Sequence, residues 1–185
     1  MAKADLHVHS YYSEPPHNWF MKAVSARESY PDPELIYRRA KDRGMTLVTD
    51  HNSLDGVLAL RERHPEDVFT GVETTVAFPE DSCQVHLLIY GLCEAEFAEV
   101  QKLRADIYQL RDYLQERRLA HSVAHATFPV NGMLTVEHLE KLQLLFNVFE
   151  AINGGRGHAD NETWLHTLEG LSPARLHDLY HKHRI

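Results

Sequence analysis

Short apolar runs, each about the length of one β-strand, alternate along this chain with amphipathic stretches of helical length. The apolar runs cover residues 4–8, 45–49, 67–78, 84–92, 119–126 and 147–152. Such an alternation is typical of repeated β-α units, and 185 residues are enough for one domain with a sizeable core. The sequence therefore predicts an α/β fold in a single domain over residues 1–185.

Local signals predict where several helices begin and end. Asp32 is placed to cap a helix that ends at Gly44. Apolar residues recur at helical spacing over residues 94–118, so we expect one long helix there. Thr135 is expected to cap a later helix, although His138 stands where a complete capping box has Glu or Gln.

The composition argues against several classes of protein. Acidic residues outnumber basic ones by 27 to 19, so long nucleic acid is not an expected partner. No apolar run approaches the ~18 residues of a membrane span, and no membrane partner is expected. Two cysteines without CxxC spacing, and no leader before Asp5, favour the cytoplasm. The outlier is histidine, with 14 residues, and this excess points to chemistry.

The first apolar run carries a His-x-His pattern. In a strand, residues two apart share a face, so His7 and His9 would point the same way together with Asp5. Two imidazoles on one face can bind one metal ion. Taken alone, however, the pattern fits two hydrogen-bonded histidines at least as well.

Other apolar runs also carry histidines or carboxylates, and these favour the metal. Such residues follow or interrupt five further runs: Asp50, His51, Glu73, His86, His125 and Glu150. In parallel α/β sheets, the ends of the strands are where ligands gather. Glu73 and His86 fall inside their strands, where an unpaired polar group would be costly to bury. A shared metal ion would remove that cost.

Imidazole nitrogen and carboxylate oxygen without thiolate suit zinc, manganese or iron. A carboxylate such as Glu73 can bridge two ions about 3.5–4 Å apart. A site of this kind hydrolyses phosphoesters, because one ion acidifies a bound water while both neutralise the phosphoryl oxygens.

The segments DLHVHSYYSE, VTDHN, GVE, VHLLIYG and VAHATFP occur in this order. Together they resemble the PHP (polymerase and histidinol phosphatase) superfamily over roughly residues 4–155. The resemblance implies a distorted (β/α)7-type barrel that binds two or three divalent metal ions and hydrolyses phosphoesters.

Carried over residue by residue, the resemblance implies that His7 and His9 hold a first metal ion. Glu73 would bridge it to a second ion held by His86 and His125. The native ions would be zinc, manganese or iron.

A third position is also implied, facing Glu14 and His51. Family members usually have Asp where Glu14 stands, and the longer side chain can still reach a metal ion. Asp50 is expected to orient ligands and not to bind metal itself.

The Asp-x-His motif that closes the family's metal site is not found in this chain. We therefore expect a barrel that is incomplete at its C-terminal end, cut before its last motif, with incomplete first and third metal sites. An exposed sheet edge would allow self-association, and another domain would follow at the C-terminus. Asp178, His181 and His183 are expected on the solvated face of a terminal helix.

A glycine-rich turn follows the last apolar run. Asn153 and Arg156 lie in it, and a guanidinium there could bind a substrate phosphate. A structural turn with a surface arginine explains the pattern equally well. Elsewhere we expect His121 to be hydrogen-bonded within a strand. Helical histidines expected in solvent are His64, His138, His166 and His177.

The leading functional interpretation is a metal-dependent phosphoesterase for phosphorylated small molecules or nucleotides. One alternative is a catalytically incomplete metal-binding module that supports an attached domain or an assembly. Another is a metal-dependent amidohydrolase, which also begins with His-x-His. Against it, no lysine suited to carboxylation stands near a predicted strand end.

Overall fold

The computed structural model describes residues 5–14, 30–41 and 47–185. Over these residues the chain forms seven helices and one three-stranded sheet. The helices are α1 (Pro33–Ala40), α2 (Asp55–Arg63), α3 (Glu94–Leu103), α4 (Ile107–Glu116), α5 (Val136–Leu145), α6 (His158–Glu169) and α7 (Pro173–His183). The strands are β1 (Gly71–Ala77), β2 (Gln84–Tyr90) and β3 (Ala120–Val123), in the order β1-β2-β3.

The mixed helix-and-sheet character is confirmed, and the distorted (β/α)7-type barrel, incomplete at its C-terminal end, stays a prediction. β1 and β2 form an antiparallel hairpin, in which the Phe78 N–H donates to the Cys83 carbonyl at 2.9 Å and the Gly91 N–H to the Thr70 carbonyl at 2.8 Å. Antiparallel pairing suits the short turn between them, because a parallel connection needs a longer crossover.

Two compact units can be distinguished by the contacts within the chain. The first comprises Met1–Thr74 and Leu88–Lys102, and the second comprises Thr75–Leu87 and Leu103–Ile185. β1 and β2 contribute residues to both units. The formation of one domain by residues 1–185 stays a prediction.

The first unit is built on α1, α2 and the residues around β1. Asp32 caps α1 as predicted, since its side chain accepts a hydrogen bond from the Glu34 N–H at 2.8 Å. Gly44, predicted to end this helix, lies outside the described residues, and α1 itself ends at Ala40. Buried side chains of this unit include Leu47, Val48, Leu54, Val57, Leu60, Val72 and Val100.

One long helix was expected over residues 94–118, and this prediction was wrong in one respect. The segment forms two helices, with a break between Leu103 and Ile107. At the break, the Asp106 side chain accepts hydrogen bonds from the N–H groups of Tyr108 and Gln109, which starts a new helix. An N-cap of this kind outweighs a continuous helical pattern, because it satisfies otherwise unpaired N–H groups.

Three predicted strands are not regular strands. Residues 6–10 and 47–50 have no regular secondary structure, and residues 4, 45 and 46 lie outside the described residues. In the run 147–152, the pairing found among the described residues is one parallel bridge between Phe149 and Val123.

Some histidines expected in solvent are buried or half-buried, contrary to prediction. The His138 side chain is 7% exposed; it accepts a hydrogen bond from the Thr135 N–H at 3.1 Å and so completes the capping box of α5. His64 stacks on Tyr37 with ring centroids 3.6 Å apart. His166 and His177 are exposed as expected.

No helix in the described part of the chain is both long and apolar enough to cross a membrane.

Candidate metal centre

Three imidazoles converge on one carboxylate oxygen in the first unit. The Oε2 atom of Glu73, in β1, lies 3.2 Å from Nε2 of His7, 3.1 Å from Nε2 of His9 and 3.0 Å from Nδ1 of His51. Glu73 is fully buried, whereas the imidazoles are 10%, 17% and 24% exposed. We call these four residues the Glu73 cluster; its imidazoles form the side nearer to solvent.

Backbone pairing brings the members of the Glu73 cluster together. His51 and Glu73 form a parallel bridge. The Glu73 N–H donates to the Asp50 carbonyl at 3.2 Å, and the Asn52 N–H donates to the Glu73 carbonyl at 2.9 Å. The Thr49 N–H donates to the Val8 carbonyl at 2.8 Å, which places the His-x-His segment beside the segment that carries His51.

The imidazole rings of the cluster pack closely against one another. His9 and His51 stack with centroids 4.4 Å apart and an interplanar angle of 13°. His7 meets His9 edge-on, with their Nε2 atoms 3.2 Å apart. Ligand atoms of His9, His51 and Glu73 all lie within 4.8 Å of one another.

This arrangement fits a divalent metal ion. One carboxylate can neutralise one imidazolium, so three protonated imidazoles around a single oxygen would leave uncompensated positive charge in a largely buried place. Neutral imidazoles, in contrast, can direct nitrogen lone pairs inward beside the carboxylate oxygen. Nitrogen and oxygen donors of this kind suit zinc, manganese or iron.

Asp50 lies beside the cluster and is held by two serines. The Ser10 N–H and hydroxyl donate to its two carboxylate oxygens at 2.5 and 2.6 Å, and the Ser13 hydroxyl donates at 3.0 Å. Burial raises the pKa of the Asp50 carboxyl, while these hydrogen bonds oppose the rise. Asp50 thereby fixes the backbone next to His9, and its predicted orienting role rests on this contact.

Ser10 and Ser13 were missed by the sequence reasoning. Ser10 follows His9 directly, and this adjacency was the one available signal. Ser13 also accepts a hydrogen bond from the His51 N–H at 3.2 Å, so the serines connect both histidine segments. The Glu14 N–H donates to the His51 carbonyl at 2.9 Å, and metal binding by Glu14 stays a prediction.

The second unit holds the other two predicted histidine ligands. His86 and His125 are each 8% exposed, and their rings meet edge-on with centroids 5.2 Å apart. The Ala124 N–H donates to the His86 carbonyl at 3.0 Å. The structure thus brings His86 and His125 together, and their binding of a second metal ion stays a prediction.

His125 has a strained backbone with φ of 25°. Positive φ is unusual for a residue with a side chain and is found where surrounding contacts enforce it. One such contact is visible: the His125 N–H donates to Oε2 of Glu150 at 2.9 Å, and Asn153 Nδ2 donates to the same oxygen at 3.0 Å. This use of Glu150 to hold the backbone was not predicted.

The predicted phosphate contacts Asn153 and Arg156 are engaged within the second unit. Besides its bond to Glu150, Asn153 accepts a hydrogen bond from the Gly155 N–H at 2.9 Å. The guanidinium of Arg156 lies 3.5 Å from the ring centroid of Phe128, a cation–π contact. These contacts favour a structural turn, and a role in substrate binding stays a prediction.

His183 differs from the expectation of a solvated terminal helix. Its side chain is 6% exposed, and Nε2 lies 2.9 Å from a carboxylate oxygen of Glu140 in α5. Asp178 and His181 are exposed as expected.

Comparison with known proteins shows likeness at the level of the fold. No protein-family model and no curated protein sequence matches the chain. An amidohydrolase from Chromobacterium violaceum, solved with sulfate and without metal, superposes with a TM-score of 0.54 at 14% identity, over 88% of this chain and 81% of that chain. A protein from Bifidobacterium adolescentis, provisionally named a metal-dependent phosphoesterase, superposes with a TM-score of 0.53 at 14% identity, over 100% of this chain and 85% of that chain. The chain therefore shares the fold of proteins named as hydrolases.

Proposed function

We propose that this protein is a metal-dependent phosphoesterase whose metal ion is held by the Glu73 cluster. The observation that carries the proposal is the convergence of His7, His9 and His51 on one oxygen of the fully buried Glu73. A divalent cation would let the three imidazole nitrogens and this carboxylate oxygen act together as donors to one centre. A divalent ion bound there would supply an acidified water at neutral pH.

The residues of the cluster have separable tasks in this proposal. Glu73 contributes the negative charge, and its burial keeps that charge unscreened by solvent. The imidazoles, which are partly exposed, form the side that a substrate can reach. Asp50 and Ser10 hold the backbone that carries His9.

Phosphoesters are preferred as the substrate class for two reasons. The ordered segments of the sequence resemble the PHP superfamily, and one structure of the same fold bears a phosphoesterase name. The chain carries a formal net charge of −8, so small phosphorylated molecules or nucleotides are proposed over long nucleic acid. A second ion at His86 and His125 and self-association belong to the same proposal.

A chromogenic phosphomonoester tests the proposal directly. With manganese or zinc present we expect hydrolysis, and His9→Ala should lower kcat/KM by at least about 100-fold, because a lost ligand costs at least as much as a lost supporting residue. His166→Asn is the matched control, since His166 is an exposed histidine on α6, and it should leave the rate within a factor of two.

The assay also separates the alternatives. An amidohydrolase is favoured by the fold of the Chromobacterium violaceum structure, and it would cleave a chromogenic anilide but not the phosphomonoester. A catalytically incomplete module would bind metal without cleaving either substrate. Equal loss of activity in His9→Ala and His166→Asn would contradict the assignment of the site.

A further inference from the structure

Two exposed histidines form a close pair on α7. His177 and His181 are one helical turn apart, their Nε2 atoms lie 3.0 Å from each other, and their ring centroids are 4.3 Å apart at 81°. Both residues belong to the second unit, whereas the Glu73 cluster belongs to the first. The proposed phosphoesterase function makes no use of this pair.

We propose that His177 and His181 chelate a divalent transition-metal ion at the protein surface. With metal–nitrogen bonds of about 2.0–2.1 Å, two neighbouring ligand nitrogens lie about 2.9–3.4 Å apart. The observed 3.0 Å falls within this interval. Spacing of i and i+4 on a helix is also the spacing by which two histidines of one helical face bind zinc.

The helix that carries the pair is fixed on its opposite side. Leu179 is 1% exposed, and Glu140 of α5 contacts three side chains of α7. The contacts to Glu140 are Arg175 Nη2 at 3.1 Å, Lys182 Nζ at 2.5 Å and His183 Nε2 at 2.9 Å. The two histidine side chains are thus presented by a docked helix, and less conformational freedom is lost when they bind an ion.

The donor atoms define the class of ion. Two imidazoles suit Zn²⁺, Ni²⁺ and Cu²⁺, whereas Mg²⁺ and Ca²⁺ require oxygen ligands. Water would fill the remaining positions. The same 3.0 Å separation is compatible with a hydrogen bond between the two rings, so the experiment must distinguish chelation from that contact.

Zinc titration followed by amide hydrogen exchange makes this distinction. The titration is performed on a His9→Asn background, which removes one ligand of the Glu73 cluster, and the readout is confined to α7. We expect zinc to slow exchange in α7, by about 100-fold at a zinc concentration of 100 Kd where exchange requires opening of that helix. His177→Gln and His181→Gln should each abolish the effect, because one imidazole cannot chelate.

His166→Gln serves as the matched control and should retain the effect, because His166 is an exposed helical histidine without a histidine one turn away. If zinc still slows amide exchange in α7 of His181→Gln, the proposal is overturned. The same holds if His166→Gln loses this slowing to the same extent as His181→Gln. Circular dichroism of each variant verifies that the helices remain folded. Activity of the wild-type protein toward a phosphomonoester is a separate readout, so either proposal can fail without the other.

Discussion

The carboxylate of Asp50 depends on a small residue beside it. Gly56, in the first turn of α2, has no Cβ, and an added Cβ would meet Oδ2 of Asp50 and would lie 2.6 Å from the Ser10 hydroxyl. That hydroxyl donates to Asp50 at 2.6 Å, so any larger side chain at position 56 must separate the two groups. The glycine is therefore required by close approach, even though helices disfavour glycine.

Gly56→Ala should lower the free energy of unfolding by about 1–3 kcal/mol, because a buried carboxylate oxygen loses its donor. Urea denaturation of the metal-free protein measures the change. Gly154→Ala is the control: Gly154 is exposed, an added Cβ there meets no atom within 4 Å, and the expected change is within about 0.5 kcal/mol. Equal stability of the two variants would contradict the proposed crowding at Asp50.

At the scale of elements, α5 and α7 are joined by one acidic side chain. The hydrogen bond from Lys182, together with His183, holds the pKa of the Glu140 carboxyl below its ordinary value, against the opposing effect of burial. A carboxyl with a lowered pKa in the folded state stabilises the fold above its ordinary pKa of about 4.3. That contribution is lost as the pH falls through the lowered value.

Glu140→Gln should therefore be less stable than wild type at pH 7, by about 1–3 kcal/mol, since hydrogen bonds to a charged group are lost. The difference should narrow as the pH is lowered below about 4, where the wild-type carboxyl also becomes neutral. Urea unfolding at several pH values measures it. Glu137 is an exposed residue of the same helix, and the stability difference between Glu137→Gln and wild type should depend little on pH. A stability difference between Glu140→Gln and wild type that stays constant with pH would refute the proposed role of Glu140.

For the molecule as a whole, metal binding and folding are linked. An ion that binds the folded chain alone stabilises it by about 2.7 kcal/mol at a concentration of 100 Kd. Manganese is the suitable probe for the Glu73 cluster, because it needs carboxylate oxygen and binds weakly to imidazoles alone.

Manganese at 100 Kd should raise the stability of wild type by about this amount, and Glu73→Gln should abolish the gain because the carboxamide carries no charge. Thermal unfolding with and without manganese measures the effect. The matched control is Glu99→Gln, whose carboxylate is on α3 and pairs with Lys102 at the surface. A manganese response that persists in Glu73→Gln would exclude the Glu73 cluster as the binding site.

Short-range patterns were sufficient for several elements. The apolar runs 67–78 and 84–92 predicted β1 and β2, and Asp32 predicted the start of α1. The residue types of a metal site were also visible, because Glu73 and His51 interrupt or follow apolar runs. All of these signals act over a few residues, which is the range of hydrogen-bonded turns and helical periodicity.

The amino-acid sequence by itself determined the start of α1, the positions of β1 and β2 and the residue types that can bind metal. Only the tertiary structure decided which of them meet: the bridge between His51 and Glu73 unites segments far apart in sequence, and Ser10 reaches Asp50 across 40 residues. The break of the predicted long helix at Asp106 is different, because the N-cap that produces it is a contact within three residues. Long-range pairing depends on the packing of the whole chain, and no local pattern records it.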